Sequence, residues 1–317
     1  MNKHSITAII PAYNAEEYLA ESIESVLAQN RPVERIIVVD DCSLDRTPDI
    51  AQSYSKVLYL RTPKNSGHAT ARNIAIDHVQ TPLTAWIDAD DLWEPEHLET
   101  VAALLDEHEE AGVACSPVIR FGASKGVQGC IFTDNKPVNA VDECFHSTCV
   151  PAMSAVTRTS TTKAVGGFDP SYRYAPDFDF WLRMSLHCPF ISVQTPTAKY
   201  RWHSRQISTN TSGLPVTMRQ RESIYRSRFH FANGDIKGTE GFDLEKYRRW
   251  IREFYQQDLP LIIANSSPED CRKFDQIAGN YVPGSEALSF RRALLGVTPK
   301  IAIRLYLKAL RAKAEFA

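Results

Sequence analysis

The amino-acid sequence predicts an α/β protein built on a mostly parallel, doubly wound sheet with helices on both faces. Short apolar segments alternate with amphipathic segments of helical length along residues 5–119, which is typical of β-α-β units. Two apolar segments end in acidic residues, which mark where a strand leaves the core. The 317 residues can form a large core, as one domain or as one domain with an appendage.

The elements of the first half can be justified one by one. Pro11 ends the first apolar segment, and Asn14 is predicted to cap the following helix, which carries Leu19, Ile23 and Val26 on one face. Residues 120–150 are rich in glycine and polar residues, which predicts a loop or hairpin that lies over the ligand-binding site. Strands are predicted over 5–10, 35–41, 57–60, 83–87, 113–119 and 153–157, and helices over 15–29, 43–54, 69–78 and 94–110.

Composition excludes several classes of protein. The net charge of -2 gives no basic footprint, so we expect no nucleic-acid partner. No apolar run approaches the ~18 residues that cross a bilayer, and the start lacks the apolar stretch of a signal peptide. The seven cysteines are scattered without a Cys-x-x-Cys motif. They predict reduced thiols in a cytosolic protein rather than a zinc site.

Three predicted strand ends should meet in one crevice. Parallel strands place their carboxyl ends at the same sheet edge, which brings together 11–13, 40–41 and 88–91. Asp88 and Asp90 are two residues apart, so both can point to one side. Two such carboxylates repel each other without a cation between them, and oxygen ligands suit Mg²⁺ or Mn²⁺. The alternative is a polar turn whose acids cap the next helix.

The same crevice offers groups that could bind a nucleotide. Tyr13 offers a ring on which a base can stack, and Asp40 can accept a hydrogen bond from a base N–H or a ribose hydroxyl. Arg72 can pair with a phosphate or a base carbonyl. Alternatively, Tyr13 packs over the sheet edge, Asp40 caps a turn and Arg72 forms a surface salt bridge. The chain has neither Gly-x-Gly-x-x-Gly after the first strand nor a P-loop motif.

Seven short motifs follow one another along the chain. Each alone is weak, but the ordered set is specific. The motifs occupy residues 9–14 (IIPAYN), 36–41 (IIVVDD), 65–73 (NSGHATARN), 88–91 (DADD), 166–169 (GGFD), 177–183 (DFDFWLR) and 200–203 (YRWH).

With these motifs the sequence resembles the family 2 glycosyltransferases, over roughly the first two-thirds of the chain. The resemblance implies the GT-A fold, a Rossmann-like mixed sheet. It also implies a nucleotide-diphosphate sugar donor, Mn²⁺ or Mg²⁺ as cofactor, and transfer with inversion at the anomeric carbon. The residues it implies are Pro11, Tyr13, Asp40 and Arg72 around the nucleotide, and Asp88 and Asp90 at the ribose and the metal.

A carboxylate is also needed to take the proton from the acceptor hydroxyl. The resemblance assigns this role to Asp177, which aligns with the Asp of the family's Glu-Asp pair. Pro176 replaces the Glu, which puts in question the acceptor contacts that the Glu makes. We interpret Asp179 as a carboxylate in the first turn of a helix, where the helix dipole favours it. The same structural role is the alternative to a general base for Asp177.

The last motif adds a candidate metal ligand. By resemblance His203 joins the metal or the diphosphate, with Arg201 or Arg205 near the phosphates. Asp91 is a weaker ligand candidate than Asp88 and Asp90.

Beyond about residue 210 the resemblance fades into a helical extension. We predict a catalytic domain over 1–212 and helices over 213–317. The basic stretch 285–313 has two open interpretations, an amphipathic helix on an anionic membrane or a helix docked on protein. The predicted helices of the extension cover 216–231, 244–257, 268–278, 285–295 and 299–313.

The sequence therefore predicts a cytoplasmic, metal-dependent inverting glycosyltransferase, with the inner face of the cytoplasmic membrane as a further location. UDP-sugar is the expected donor by family frequency. The acceptor is expected to be a glycan or lipid-linked saccharide of surface polysaccharide synthesis, such as lipopolysaccharide or capsule. The alternatives are a sugar-nucleotide nucleotidyltransferase and a non-catalytic sugar-nucleotide binding module. The donor sugar, the linkage and the state as monomer or homo-oligomer stay open.

Overall fold

A computed structural model describes residues 4–131, 133, 135–206, 214–265, 273, 276 and 279–282. The chain divides into two compact units, Met1–Thr209 and Asn210–Ala317. The helices predicted over 285–295 and 299–313 lie outside the described residues, as does most of 268–278.

The first unit contains eleven strands among its described residues, in two sheets. The strands are β1 (Ile6–Ala12), β2 (Arg35–Asp40), β3 (Val57–Arg61), β4 (Leu83–Trp86), β5 (Leu92–Trp93), β6 (Val113–Cys115), β7 (Val118–Gly122), β8 (Gly126–Gln128), β9 (Val156–Arg158), β10 (Phe190–Ser192) and β11 (Ala198–Trp202).

Seven helices accompany these strands, and two more form the described part of the second unit. They are α1 (Leu19–Leu27), α2 (Thr47–Gln52), α3 (His68–His78), α4 (His97–Glu107), α5 (Val141–His146), α6 (Thr159–Ala164), α7 (Pro176–Ser185), α8 (Leu214–Asn233) and α9 (Leu244–Asn265), with a 3-10 turn over Ala152–Ser154.

The main sheet has seven strands in the order β10-β6-β9-β4-β1-β2-β3. Its neighbours pair in parallel except β9, which runs antiparallel to both β4 and β6. Strands β1 and β4 are almost continuously buried, as expected when helices cover both faces of a parallel sheet. The predicted mixed, mostly parallel sheet flanked by helices is confirmed.

The first strand and helix differ from their predicted bounds. Pairing of β1 with β2 continues past Pro11, because the carbonyl of Ala12 accepts a hydrogen bond from the Asp41 amide at 2.8 Å. Helix α1 begins at Leu19, four residues later than predicted. Asn14 does not cap it: this residue has a φ of 47°, and its side chain accepts a hydrogen bond from the Leu44 amide instead.

The predicted strand over 113–119 is two strands in two different sheets. The break falls at Ser116 and Pro117, and a proline has no amide hydrogen to continue a ladder. Strand β6 stays in the main sheet, and β7 joins a second sheet in the order β5-β11-β7-β8. The predicted loop or hairpin over 120–150 contains the β7–β8 hairpin and α5.

An aromatic cluster joins the central strand to helix α7. Trp86, at the end of β4, meets Phe168 and Phe180 edge-on at 5.3 and 6.0 Å between ring centroids. Phe168 and Phe180 stack at 4.1 Å. Trp181 of α7 is also buried. Because β4 and α7 both lead to predicted site residues, this packing fixes those residues relative to each other.

The described part of the second unit contains helices α8 and α9, which pack against each other. Phe231 of α8 meets Tyr247 of α9 edge-on at 4.7 Å between ring centroids. In the part of the chain that the structure describes, no helix has the length and apolar character needed to cross a membrane.

The segment that follows the acidic motif is anchored in the core through His97. The His97 ring stacks on Trp93 at 4.8 Å, and its Nδ1 lies 2.7 Å from Thr197 Oγ1. Trp93 Nε1 donates a hydrogen bond to the Met153 carbonyl at 2.7 Å. His97 is fully buried, and this burial lowers its pKa to about 3. The folded protein therefore keeps this imidazole neutral at every pH above about 3.

We predict that the buried His97 makes the folded protein less stable against unfolding as the pH falls below 6.5. The unfolded chain binds a proton on this imidazole near pH 6.5, whereas the folded chain binds it only near pH 3. The stabilisation is thus complete above pH 6.5 and is lost progressively between pH 6.5 and 3, by about 2 kcal/mol at pH 5. Urea unfolding at pH 7 and pH 5 measures this loss.

The His97→Gln variant should lose about 2 kcal/mol less than wild type between these two pH values. His108→Gln is the matched control, because the His108 side chain is 30% exposed. An unchanged pH dependence in His97→Gln would contradict the assignment.

Candidate active site

The candidate site lies where strands β1, β2 and β4 end next to one another. Strand β1 pairs with β2 on one side, with Ala12 opposite Asp40, and with β4 on the other. The chain leaves β4 at Ile87, whose amide donates to the Ile9 carbonyl at 3.2 Å. Asp88 to Asp91 follow at once, so the acidic motif stands at the carboxyl edge of the sheet, where α/β proteins bind ligands.

The acidic motif forms a turn that is held from α1. The Asp91 amide donates to the Asp88 carbonyl at 3.1 Å, and Ser22 Oγ donates to the Asp91 carbonyl at 2.6 Å. These bonds fix the backbone, so the three carboxylates project to different partners.

Asp88 is paired with the predicted nucleotide-binding Arg72. Arg72 Nη2 donates to Asp88 Oδ1 at 2.6 Å. Arg72 is only 5% exposed, and its guanidinium lies 5.1 Å from the centre of the Phe168 ring. Arg72 is therefore a buried cation beside the crevice. The alternative interpretation, that Arg72 forms a salt bridge on the protein surface, is wrong.

Asp90 is brought together with His203, 113 residues further along the chain. His203 Nε2 lies 3.0 Å from Asp90 Oδ2. Burial raises the pKa of Asp90, and the charge of Asp88 adds to this effect while His203 opposes it. Two of the three residues that the resemblance assigns to the metal, Asp90 and His203, are thus direct neighbours.

Asp91 points inward rather than into the crevice. It is fully buried, and its Oδ1 accepts a hydrogen bond from the Arg201 amide at 2.8 Å. Burial raises the Asp91 pKa well above the usual value, and the charges of Asp90 and Asp88 raise it further. Asp91 thus ties the acidic turn to strand β11.

Arg201 holds the acidic turn in place through several contacts. Its Nε donates to the Asp90 carbonyl at 2.7 Å, and its guanidinium lies 4.5 Å from the ring centres of both Tyr18 and Phe121. A further bond of 2.6 Å joins it to Glu21. These contacts hold the cation against protein groups and give it a positioning role. Arg205, by contrast, is exposed and pairs with Glu17.

Tyr13 is placed to meet a ligand, whereas Asp40 is enclosed. Tyr13 directly follows β1 and is 48% exposed, so about half of its surface is open to a ligand. Asp40 is fully buried, and its carboxylate accepts bonds of 2.8 Å from the Ser43 amide, the Tyr59 hydroxyl and Arg61 Nη1. Asp40 therefore organises the loop after β2, and its contact with a base or ribose stays a prediction.

Asp41 was expected at the crevice as part of 40–41 without a role of its own, and His68 lies in the predicted motif 65–73 as a weaker candidate than His203. The Asp41 carboxylate accepts hydrogen bonds from the Ser66 and Gly67 amides, at 2.7 Å from the latter. Gly67 has a φ of 89°, a conformation that favours glycine. His68 follows at the start of α3, where burial and the nearby Arg72 lower its pKa to about 4. The glycine directly before a helix was the signal for this loop.

Asp177 lies in the first turn of α7, on the side of Arg72. Pro176 is at the first helical position, where its missing amide hydrogen costs nothing. Burial raises the pKa of the partly exposed Asp177; the Arg72 charge opposes this shift, and the Asp88 charge adds to it. Asp177 is therefore within electrostatic range of both members of the Arg72–Asp88 pair.

Asp179 has a different environment. It is buried, and its Oδ2 accepts hydrogen bonds from Arg183, with Nε at 2.8 Å. This i, i+4 pair within α7 gives Asp179 a structural role and separates it from Asp177.

The donor types at this edge suit a hard divalent cation, although no complete ligand set is preformed. Among the residues that the structure describes, no group of three His, Cys, Asp or Glu side chains is arranged to hold a metal ion. Asp88 and Asp90 supply carboxylate oxygens, and His203 adds an imidazole nitrogen. Carboxylates suit Mg²⁺ and Mn²⁺, and substrate phosphates usually complete such sites.

Comparison with known proteins identifies the first half of the chain. Residues 7–160 match the family model described as glycosyl transferase family 2. The putative teichuronic acid biosynthesis glycosyltransferase TuaG of Bacillus subtilis is 43% identical over 31% of this chain and 40% of its own length. An uncharacterized glycosyltransferase of Rickettsia typhi is 27% identical over 65% of this chain and 66% of its own length.

A third relative is the poly(ribitol-phosphate) beta-N-acetylglucosaminyltransferase TarS of Staphylococcus aureus. It is 28% identical over 63% of this chain and 35% of its own length. The matched regions thus span less than two thirds of each of these relatives.

Solved structures share the fold. S. aureus TarS 1-349 in complex with UDP-GlcNAc aligns with a TM-score of 0.73 and 18% identity, covering 98% of this chain and 92% of that one. The mannosyltransferase PcManGT from Pyrobaculum calidifontis, in complex with GDP-Man and Mn2+, aligns with a TM-score of 0.56 and 16% identity, covering 99% and 87%. The chain therefore carries a glycosyl transferase family 2 domain, and its sheet has the GT-A fold.

Proposed function

We propose that this protein is an inverting glycosyltransferase that moves a sugar from a nucleotide-diphosphate donor to an acceptor hydroxyl. The observation that carries the proposal is the Arg72–Asp88 pair at the carboxyl edge of the sheet, with Asp90 next to Asp88 and with Asp177 within electrostatic range of both members of the pair. Ligands bind at the carboxyl edge of such a sheet, so the anionic donor would bind there, and a neighbouring carboxylate can act as the general base.

A UDP-sugar is the proposed donor. The TarS structures with UDP and with UDP-GlcNAc support this choice through the shared fold. The exposed Tyr13 ring offers the base a stacking surface, and Pro11 lies at the same strand end. Asp40 supports the loop beneath the base, and Arg72 faces the anionic side of the donor.

Mn²⁺ or Mg²⁺ is the proposed cofactor, held by Asp88, Asp90 and His203. The Mn2+ in the PcManGT complex supports a divalent ion on this fold. The 3.0 Å Asp90–His203 contact supports these residues as ligands, because it brings a carboxylate oxygen and an imidazole nitrogen together at the edge where Asp88 also lies. When bound, such an ion neutralises charge on the diphosphate leaving group.

Asp177 is the proposed general base. Its raised pKa makes the carboxylate a stronger base than an exposed Asp. The acceptor oxygen attacks the anomeric carbon, and the bond from that carbon to the diphosphate oxygen breaks. The electron pair leaves with the nucleoside diphosphate, and the acceptor proton goes to Asp177. A single displacement of this kind inverts the anomeric centre.

The proposed acceptor is a glycan or a lipid-linked saccharide of surface polysaccharide synthesis. The names of TuaG and TarS, which point to teichuronic acid and poly(ribitol-phosphate), support a surface polymer. We propose a catalytic domain over 1–212 with a helical extension over 213–317, acting in the cytoplasm. Membrane contact through 285–313 and assembly into homo-oligomers stay predictions.

Two alternatives keep the same sheet but not the same chemistry. A sugar-nucleotide nucleotidyltransferase would need a Gly-rich loop with Lys or Arg after β1, and residues 11–14 read Pro-Ala-Tyr-Asn instead. A non-catalytic binding module would not need a base at Asp177. The variants below separate both alternatives from sugar transfer.

We predict that Asp177→Asn abolishes transfer but keeps donor binding. The amide cannot take the acceptor proton, and loss of a general base lowers kcat by about a hundredfold or more. The measurement pairs release of UDP from a UDP-sugar, in the presence of acceptor, with donor affinity by calorimetry.

Glu109→Gln is the matched control, because it also replaces a carboxylate by an amide, at an exposed position in the loop between α4 and β6. It should transfer sugar at the wild-type rate. Unchanged transfer by Asp177→Asn would remove Asp177 as the base, whereas loss of donor binding in this variant would indicate a structural role.

We predict that wild-type protein gains thermal stability from UDP only when Mn²⁺ or Mg²⁺ is present. A ligand that binds the folded state alone raises the melting temperature by mass action. In Asp90→Asn and His203→Ala, the shift caused by UDP should no longer respond to the cation. Differential scanning fluorimetry with UDP, GDP, ADP and dTDP measures both effects.

The same screen tests the choice of nucleotide. A cation-dependent shift with a different nucleotide would overturn UDP but keep the enzyme class. A cation-dependent shift that persists in both variants would contradict the metal ligands.

A further inference from the structure

Four of the six described free cysteines form a cluster next to helix α7, which carries the proposed base. Cys115 ends β6, Cys130 follows β8, Cys144 lies on α5, and Cys149 follows α5. All four are buried. Cys115 and Cys130 are hydrogen-bonded to each other, and Cys144 Sγ lies 3.0 Å from Cys149 Sγ. The cluster takes no part in the proposed transfer reaction.

The cluster borders an open cavity. The cavity has a volume of about 520 Å³, and its lining includes Cys130, His146 and Cys149. Cys149 retains 7% exposure, whereas Cys144 retains 1%. A small solute in the cavity can therefore approach Cys149 and Cys130, whereas Cys144 does not line the cavity and lies next to Cys149.

The backbone allows these two thiols to join. Helix α5 ends at His146 and Ser147 is extended, so Cys149 lies outside the helix, and its sulfur is 3.0 Å from that of Cys144. The Ile131 amide donates a hydrogen bond of 2.7 Å to the Cys149 carbonyl. A disulfide bond measures about 2.05 Å, so closing it requires an approach of about 1 Å between the two sulfurs.

We propose that Cys144 and Cys149 form a peroxide-sensitive thiol pair that closes to a disulfide from the cavity side. Cys149 Sγ attacks one oxygen of hydrogen peroxide, the O–O bond breaks, and a sulfenic acid and water form. Cys144 Sγ then attacks the sulfenic sulfur, the S–S bond forms, the S–O bond breaks, and the hydroxyl leaves as water with the remaining proton. The two thiols lose two electrons, and the peroxide is reduced to two waters.

The order of attack follows from the environment of each sulfur. Burial raises the Cys144 pKa well above the usual value, and its hydrogen bond to Cys149 adds to this. Cys144 is therefore a poor first nucleophile and suits the resolving role. The internal competitor is Cys130, whose pKa is lowered by the hydrogen bond from Cys115.

The pair also contacts the helix that carries the proposed base. Cys144 is hydrogen-bonded to Ser185, the last residue of α7, and α5 packs against α7. Helix α7 begins with Pro176 and Asp177. Oxidation would therefore occur at the opposite end of this helix from Asp177.

The test treats the full-length reduced protein with hydrogen peroxide, blocks remaining thiols under denaturing conditions, and maps the peptides by mass spectrometry. Chymotrypsin can cleave after Phe145, between the two cysteines, so a disulfide joins two separate peptides. We expect this linked pair, lighter by two hydrogen atoms than the separate thiol peptides, and its complete loss after dithiothreitol.

Variants test the roles of the two sulfurs. Cys144→Ala should leave a sulfenic acid on Cys149 that dimedone captures, and Cys149→Ala should abolish both products. Cys188→Ala is the control, since burial raises the pKa of this partly exposed thiol to about 12 and it lies outside the cluster. Circular dichroism checks the fold of each variant, and the wild-type mapping does not depend on them.

Two results would overturn the proposal. One is that Cys144 and Cys149 both stay available for alkylation when peroxide has oxidised Cys42 or Cys188. The other is a disulfide that joins Cys130 to Cys115 or to Cys149 instead of joining the proposed pair.

Discussion

The repulsion between the carboxylates that end β4 is the constraint on which the site depends. Asp88, Asp90 and Asp91 occupy one turn, and burial raises the pKa of the last two. Each carboxylate is compensated differently: by Arg72 for Asp88, by His203 for Asp90, and by a backbone amide for Asp91. These partners, from helix α3 and from residues 201–203, stabilise a turn that is rich in negative charge.

These partners explain why distant segments are positioned as they are. Helix α3 delivers Arg72, strand β11 delivers the Arg201 amide, and the residues after β11 deliver His203. The aromatic contacts of Trp86 with Phe168 and Phe180 then set the distance from the end of β4 to α7. The electrostatic centre and the proposed base are consequently held by one packed core rather than by loops alone.

The sequence predicted the main sheet and its acidic edge because both depend on local patterns. Buried parallel strands appear as continuous apolar runs, and strand ends appear as acids. It did not predict the antiparallel β9, the second sheet, or the inward orientation of Asp91, because these depend on pairings between residues far apart in the chain. The Asn14 cap failed for the same reason, since the side chain bonds to a loop 30 residues away.

The central claim is that the Asp88–Asp90–His203 edge receives a nucleoside diphosphate through a divalent cation. The most direct measurement is a crystal structure with UDP and Mn²⁺, in which anomalous scattering locates the ion. The account predicts one ion in contact with the Asp90 carboxylate, the His203 imidazole and the diphosphate. A UDP molecule bound at this edge with no ion, or an ion bound away from Asp90 and His203, would contradict it.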